Sequence, residues 1–224
     1  MKSGRFSLPS QHSYEYGYTQ AYKLASEELV KARDIEQQCH RGGTQYLEIG
    51  SQKIIILQYI NRSYQVTLPH VDVTLADSQE TVPIRDKVLI LHYLTLAKGT
   101  PLANKMITFK ELSGGAIYFP TFAKRTVRPL VDCFGSEPHR LADVAKKLGG
   151  YKVDYGDVAV TINAFPYVAI TLVLWQRDEE LAPSGSIIFD ATISDYLSTE
   201  DITVLCETIT WKLVKSLKSR LKAL

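Results

Sequence analysis

The chain has 224 residues, 45% hydrophobic and 22% charged, with a formal net charge of +2; this is enough apolar material for one large core and too weak a field to draw the protein onto nucleic acid or an anionic membrane. Its three cysteines, Cys39, Cys133 and Cys206, stand far apart with no C-x-x-C pair, which argues against a disulfide framework or thiolate zinc site and fits a reducing cytoplasm. No signal-peptide core opens the chain and no run reaches the roughly 18 apolar residues of a membrane span, so a cytoplasmic protein is expected, with the sequon at Asn61 unglycosylated.

Residues 1–12 are polar and read as a loose arm ahead of a single domain over 13–224. From Ser13 the spacing turns helical: Tyr14, Tyr18, Ala21, Tyr22, Ala25, Leu29 and Ile35 recur at three- and four-residue steps, and Gly42-Gly43 stops the helix. The runs "QYLEIG", "KIIILQYI" and "SYQVTLP", separated by Gly50-Ser51 and Asn61-Arg62, predict an antiparallel meander. A central helix follows over residues 83–97, with Pro83 in its first turn, Gly99 as its stop, and Ile84, Val88, Leu91, His92 and Thr95 along its inner face.

"MITFKEL" reads as a strand closed by a turn at Gly114-Gly115. A weaker helix spans residues 121–134 because Pro129 removes a backbone donor, and a better one, capped by Ser136, runs to Leu148. Three strands come next, "DVAVTINAF", "YVAITLVLW" and "SGSIIFDAT"; the second is apolar almost throughout and should lie centrally, covered on both faces. The last helix is the clearest element. Ser198 and Asp201 make a variant capping box, Leu197 and Ile202 a hydrophobic staple, and Ile202, Leu205, Ile209, Leu213, Leu217 and Leu221 an apolar stripe. Strands and helices without regular alternation give an α+β fold: mostly antiparallel sheet, with long N-terminal, central and C-terminal helices packed against it.

Several side chains are candidates for chemistry. Glu200 and Asp201 suit the positive end of the final helix and need no further role. Asp178, Glu179 and Glu180 read as a wet hairpin tip with Pro183, Ser184 and Gly185 as turn residues. A sharper reading has the strand return bring Asp190 back near Asp178 or Trp175, so that Asp178, Glu180 and Asp190 hold Mg²⁺ or Mn²⁺ in a metal-dependent enzyme. His92 reads as a neutral imidazole hydrogen-bonded in the core, or alternatively as an axial ligand of a tetrapyrrole. Lys124, Arg125 and Arg128 in "FAKRTVR" either bind an anion or solvate a surface. No G-x-G-x-x-G, P-loop, H-E-x-x-H or G-x-S-x-G stretch is present.

The stretches "ILHYLTLAKGTPL", "ITFKELSGGAIYFPTF", "LVLWQRDEE", "SIIFD" and "YLSTED", taken in order, resemble the domain of unknown function family 3786 across roughly residues 14–215. The resemblance implies a cytoplasmic protein of anaerobic bacteria or archaea and an association with corrinoid, one-carbon metabolism. Relatives that carry an iron–sulfur cluster do so on closely spaced cysteines; this chain has none, so no iron–sulfur cluster is expected. The leading expectation is a non-enzymatic binding protein whose cavity, lined by tyrosine and phenylalanine, takes a corrinoid or other tetrapyrrole against His92, Tyr118, Trp175 and Asp178. An interaction module that uses the C-terminal helix to dock a protein partner is the alternative.

Overall fold

The computed structural model describes residues 11–176 and 181–221. The N-terminal helical spacing forms α1 (Gln11–Val30), with Ala25 and Leu29 buried and Tyr18, Ala21 and Tyr22 half-buried on one face. The helix does not continue to Gly42. Asp34 caps a separate α2 (Ile35–Arg41), its carboxylate accepting from the Gln37 amide at 2.8 Å, and so takes up one of the amides that a helix start leaves unpaired. The first ten residues of the expected arm lie outside the described residues, and Gln11 already belongs to α1.

The meander is present as β1 (Gln45–Ile49), β2 (Gln52–Tyr59) and β3 (Arg62–Leu68), extended by a short β4 (Asp72–Leu75) in the order β1-β2-β3-β4. Alternation sends Ile55, Leu57 and Tyr59 of β2 into the core and leaves Ile54 and Ile56 half-exposed on the other face. Helix α3 (Ile84–Leu96) packs against α1. It is buried more completely than its expected stripe required: Leu89, Ile90, Tyr93, Leu94 and even Asp86 are within the core, whereas Ile84, His92 and Thr95 are half-exposed. A helix apolar nearly all round is a core helix.

The second sheet is built from β5 (Met106–Thr108), β6 (Tyr151–Val153), β7 (Val158–Phe165), β8 (Val168–Trp175) and β9 (Ser184–Asp190), in the order β5-β9-β8-β7-β6. The apolar run is therefore the central strand, as its composition demanded. Between β5 and β6 lie α4 (Gly115–Arg125), α5 (Val127–Phe134) and α6 (His139–Ala145). The weak helix expected over 121–134 is thus two helices meeting at Thr126. Pro129 is the third residue of α5 and sits in its first turn, where a missing amide costs no helical bond, so it starts a helix rather than weakening one. Ser136 caps nothing; α6 begins after Pro138.

The final helix is α7 (Thr199–Leu221). It packs on α3, α4, α5 and α6, and Ile202, Leu205, Ile209, Leu213 and Leu217 are buried. One contiguous apolar cluster runs through both sheets. They join where the Ile60 amide donates to the Ala164 carbonyl at 3.0 Å and where Tyr93 stacks on Phe165 at 4.2 Å between ring centres. The Tyr93 hydroxyl donates to the Gly42 carbonyl at 2.8 Å and accepts from the Tyr167 amide at 3.3 Å.

Candidate functional site

Helices α3 and α7 run antiparallel, and a step of seven residues on α3 and six on α7, somewhat under two turns, sets two polar levels facing one another. At one level His92 of α3 meets Asp201 of α7, with Nδ1 2.7 Å from the carboxylate. At the other, Arg85 of α3 meets Glu207 of α7 at 3.6 Å. Helix α4 adds Arg125, which donates to Glu207 at 2.6 Å and to the Tyr118 hydroxyl at 3.2 Å. Helix α1 adds Tyr18, whose phenol is pushed up by burial while Arg85 and Arg125 pull it down. Residues far apart in the chain thus form one polar cluster at the junction of four helices.

The start of α7 positions the histidine. Asp201 accepts from the Ser198 hydroxyl at 2.6 Å and its own amide donates back to that hydroxyl at 3.1 Å, the capping box expected from sequence. The remaining carboxylate oxygen is given to His92. The hydrogen bond to Asp201 raises the His92 pKa from its ordinary value, with burial opposing. The ring is hydrogen-bonded as expected, and its partner is a carboxylate, which favours the charged form over the neutral one. The order Ser–Asp–His is no nucleophile relay, because the serine hydroxyl bonds the carboxylate and not the imidazole that would have to take its proton.

A hollow of about 380 Å³ adjoins this level, lined by Ser113, Gly114, Tyr118, Thr199 and Glu200, where the first turns of α4 and α7 come together. Gly115 lets the start of α4 fold tightly onto the turn before it: a Cβ there would lie 1.9 Å from the Phe109 carbonyl oxygen. The Thr199 hydroxyl donates to the Ser113 carbonyl at 3.0 Å, tying the two helix starts together.

Of the residues expected at a site, the fold brings His92 and Tyr118 into this neighbourhood. Trp175 is elsewhere, half-exposed at the end of β8 and paired with Ser184. Asp178 and Glu180 lie outside the described residues. The strand return does not bring Asp190 back to Trp175: it stands six residues along β9 from Ser184, about 20 Å at the usual rise per residue. Its carboxylate accepts from the Ala103 amide at 3.1 Å and the Thr192 hydroxyl at 2.7 Å, bonds that hold its pKa low against the opposing effect of burial. Asp190 is a turn cap. Among the described residues no group of three His, Cys, Asp or Glu side chains could hold a metal ion.

The expected aromatic lining is spent on packing. Tyr59, Tyr93, Tyr196, Phe109, Phe122 and Phe165 are fully buried and pack ring against ring, Phe109 stacked on Phe122 at 3.8 Å, and the phenols that reach the site are Tyr18 and Tyr118. Lys124 and Arg128 are exposed as solvated cations, while Arg125 turns inward to Glu207.

Sequence reasoning missed Arg85, Asp86 and Glu207. Asp86 is 3% exposed, accepts from the Tyr59 hydroxyl at 3.2 Å and lies 4.0 Å from Lys212. As the third residue of a helix it reads as an ordinary dipole-neutralising acid, which hid its burial. Glu207 carried a signal, a lone carboxylate inside the apolar stretch "VLCETIT".

No helix among the described residues is long and apolar enough to cross a membrane. The family described as domain of unknown function DUF3786 matches residues 34–211. No curated protein and no solved structure matches the chain.

Proposed function

The chain belongs to the family described as domain of unknown function DUF3786, and from the geometry of the four-helix junction we propose that it is a cytoplasmic, non-catalytic binding protein for a large metal-bearing cofactor, a corrinoid or another tetrapyrrole, in anaerobic one-carbon metabolism. The observation that carries this reading is the 2.7 Å contact between His92 Nδ1 and Asp201. Histidines that ligate metals almost always give their second nitrogen to a carboxylate or carbonyl, which fixes the ring and makes the free nitrogen more basic. The His92 side chain is 31% exposed, so its Nε2 edge is within reach of solvent. Tyr118, with an apolar ring and a hydroxyl already engaged by Arg125, suits the rim of an amphipathic ligand. The adjoining hollow of about 380 Å³ accommodates one edge of such a molecule and leaves the rest on the surface.

Titration of the purified protein with aquocobalamin and with hemin tests the reading. A saturable shift of the visible bands is expected, lost in His92→Ala. Ligation needs Nε2 free of its proton, and Asp201 raises the His92 pKa, so affinity should grow as pH rises through the histidine's titration. Asp201→Asn, which lowers that pKa, should move the rise to lower pH. No spectral change with either compound, or the same change in His92→Ala, would overturn the proposal.

A further inference from the structure

The two sheets expose four edges, and three of them are guarded. Strands β5 and β6 are three residues each, and β6 carries a lysine, Lys152. Strand β4 is four residues long, and its Asp72 is held by Lys87 at 2.9 Å. Short length and edge charge are the usual devices against strand-to-strand association. Strand β1 is the longest of the four edges, and its one charge, Glu48, alternates onto the face opposite Leu47, where it is paired with Lys53. Its five residues, Gln45-Tyr46-Leu47-Glu48-Ile49, contain no proline and no lysine, pair with β2 in unbroken register, and are exposed at every position except Tyr46. No strand lies on its outer side among the described residues.

On the outer face of this four-stranded sheet the apolar side chains lie toward that edge. Leu47 is 40% and Ile49 62% exposed. Register places Leu47 opposite Ile54 and Gln45 opposite Ile56, so Leu47, Ile49, Ile54 and Ile56 share the outer face of the sheet. The same face turns polar across β3 and β4, where Gln65, Thr67, Asp72 and Thr74 occupy the equivalent positions. A surface that is apolar only beside an open edge points to an occupant that continues the sheet.

The occupant is specified by the strand's own sequence. Under a two-fold axis through Leu47, an antiparallel copy of β1 sets Leu47 against Leu47, Gln45 against Ile49, and Tyr46 against Glu48. No like charges oppose one another. Tyr46 and Glu48 already form a hydrogen bond of 2.5 Å within the chain, and the symmetric pairing offers the same donor and acceptor across the axis. Lys53 lies 3.5 Å from Glu48 and balances its charge. We propose that β1 is a self-complementary interface, through which two copies of this chain form a continuous antiparallel sheet with Leu47, Ile49, Ile54 and Ile56 of both copies at its centre.

Sedimentation equilibrium of the full chain tests this through three variants. Wild type should show a monomer–dimer equilibrium. Leu47→Lys and Leu47→Glu, each placing like charges across the axis, should sediment as folded monomers with unchanged circular dichroism, and mixing the two should restore a dimer. Leu47→Cys should cross-link on oxidation, because directly opposed antiparallel residues have Cα separations of about 4.5–5.5 Å, within disulfide range. A wild type that stays monomeric, a dimer that survives both charged variants, or a dimer whose Leu47→Cys form does not cross-link would each overturn the proposal. The site at His92 is on other elements, so failure here leaves the cofactor reading standing.

Discussion

Asp86 is the residue whose environment departs most from its type. Burial raises its pKa, against the pull of Lys212, Arg85 and the Tyr59 hydroxyl. An acid with a raised folded pKa holds its proton more tightly when folded. Its contribution is therefore most favourable at low pH and is lost as pH climbs from the ordinary carboxylate range through the folded value. Asp86→Asn keeps an acceptor for Tyr59 and removes the buried charge, so it should be neutral or stabilising at pH 7 and lose that advantage in acid. Asp86→Ala leaves the Tyr59 hydroxyl without its partner in the core and should cost about 1–3 kcal/mol. Lys212 is 40% exposed, so its lost attraction adds little. Urea midpoints of the three proteins at pH 7 and at pH 4 decide the matter; an Asn variant as damaged as the Ala variant would show that the charge itself is needed.

At the scale of elements, sequence was most readable where one signal acted alone. The unbroken run in β8 and the capped, striped α7 were located from pattern because no competing feature touched them. The boundary between α1 and α2 was missed because apolar spacing continues through Asp34, whose capping role needs the chain to turn before it. The split of α4 from α5 was missed because a proline was read by its usual penalty, and that penalty vanishes in a first turn. The site divided in the same way. His92 and Tyr118 were nameable as types, but Arg85 and Glu207 become partners only when α3 and α7 lie antiparallel, a long-range fact that periodicity does not hold. Since the Ser198–Asp201 box both caps α7 and orients His92, Ser198→Ala should cost about 1 kcal/mol, measured by chemical denaturation, with the helix retained in circular dichroism. Loss of the fold altogether would mean that the cap has a larger part than helix initiation.

For the whole molecule, α7 is the element on which the helical layer depends. Ile202, Leu205, Ile209 and Leu213 are each fully buried, and at about 2–5 kcal/mol for truncating one such side chain, removing all of them costs as much as the whole 5–15 kcal/mol by which domains of this kind are stable. A chain ending at Ser198 should lack near-ultraviolet dichroism and cooperative unfolding; a truncation that stays folded and monomeric would return α7 to the role of a docking arm. Tyr93 has the corresponding place between the sheets. Its phenol is bonded to Gly42 beside β1 and to Tyr167 beside β8, and its ring stacks on both Phe165 and Tyr196. Any motion that parts the halves must either pull the phenol from Gly42 or strip it from Tyr167, Phe165 and Tyr196. One side chain thus fastens the two sheets to each other, and Tyr93→Phe, which keeps the ring and removes its hydroxyl, would lose the ties to Gly42 and Tyr167 alone.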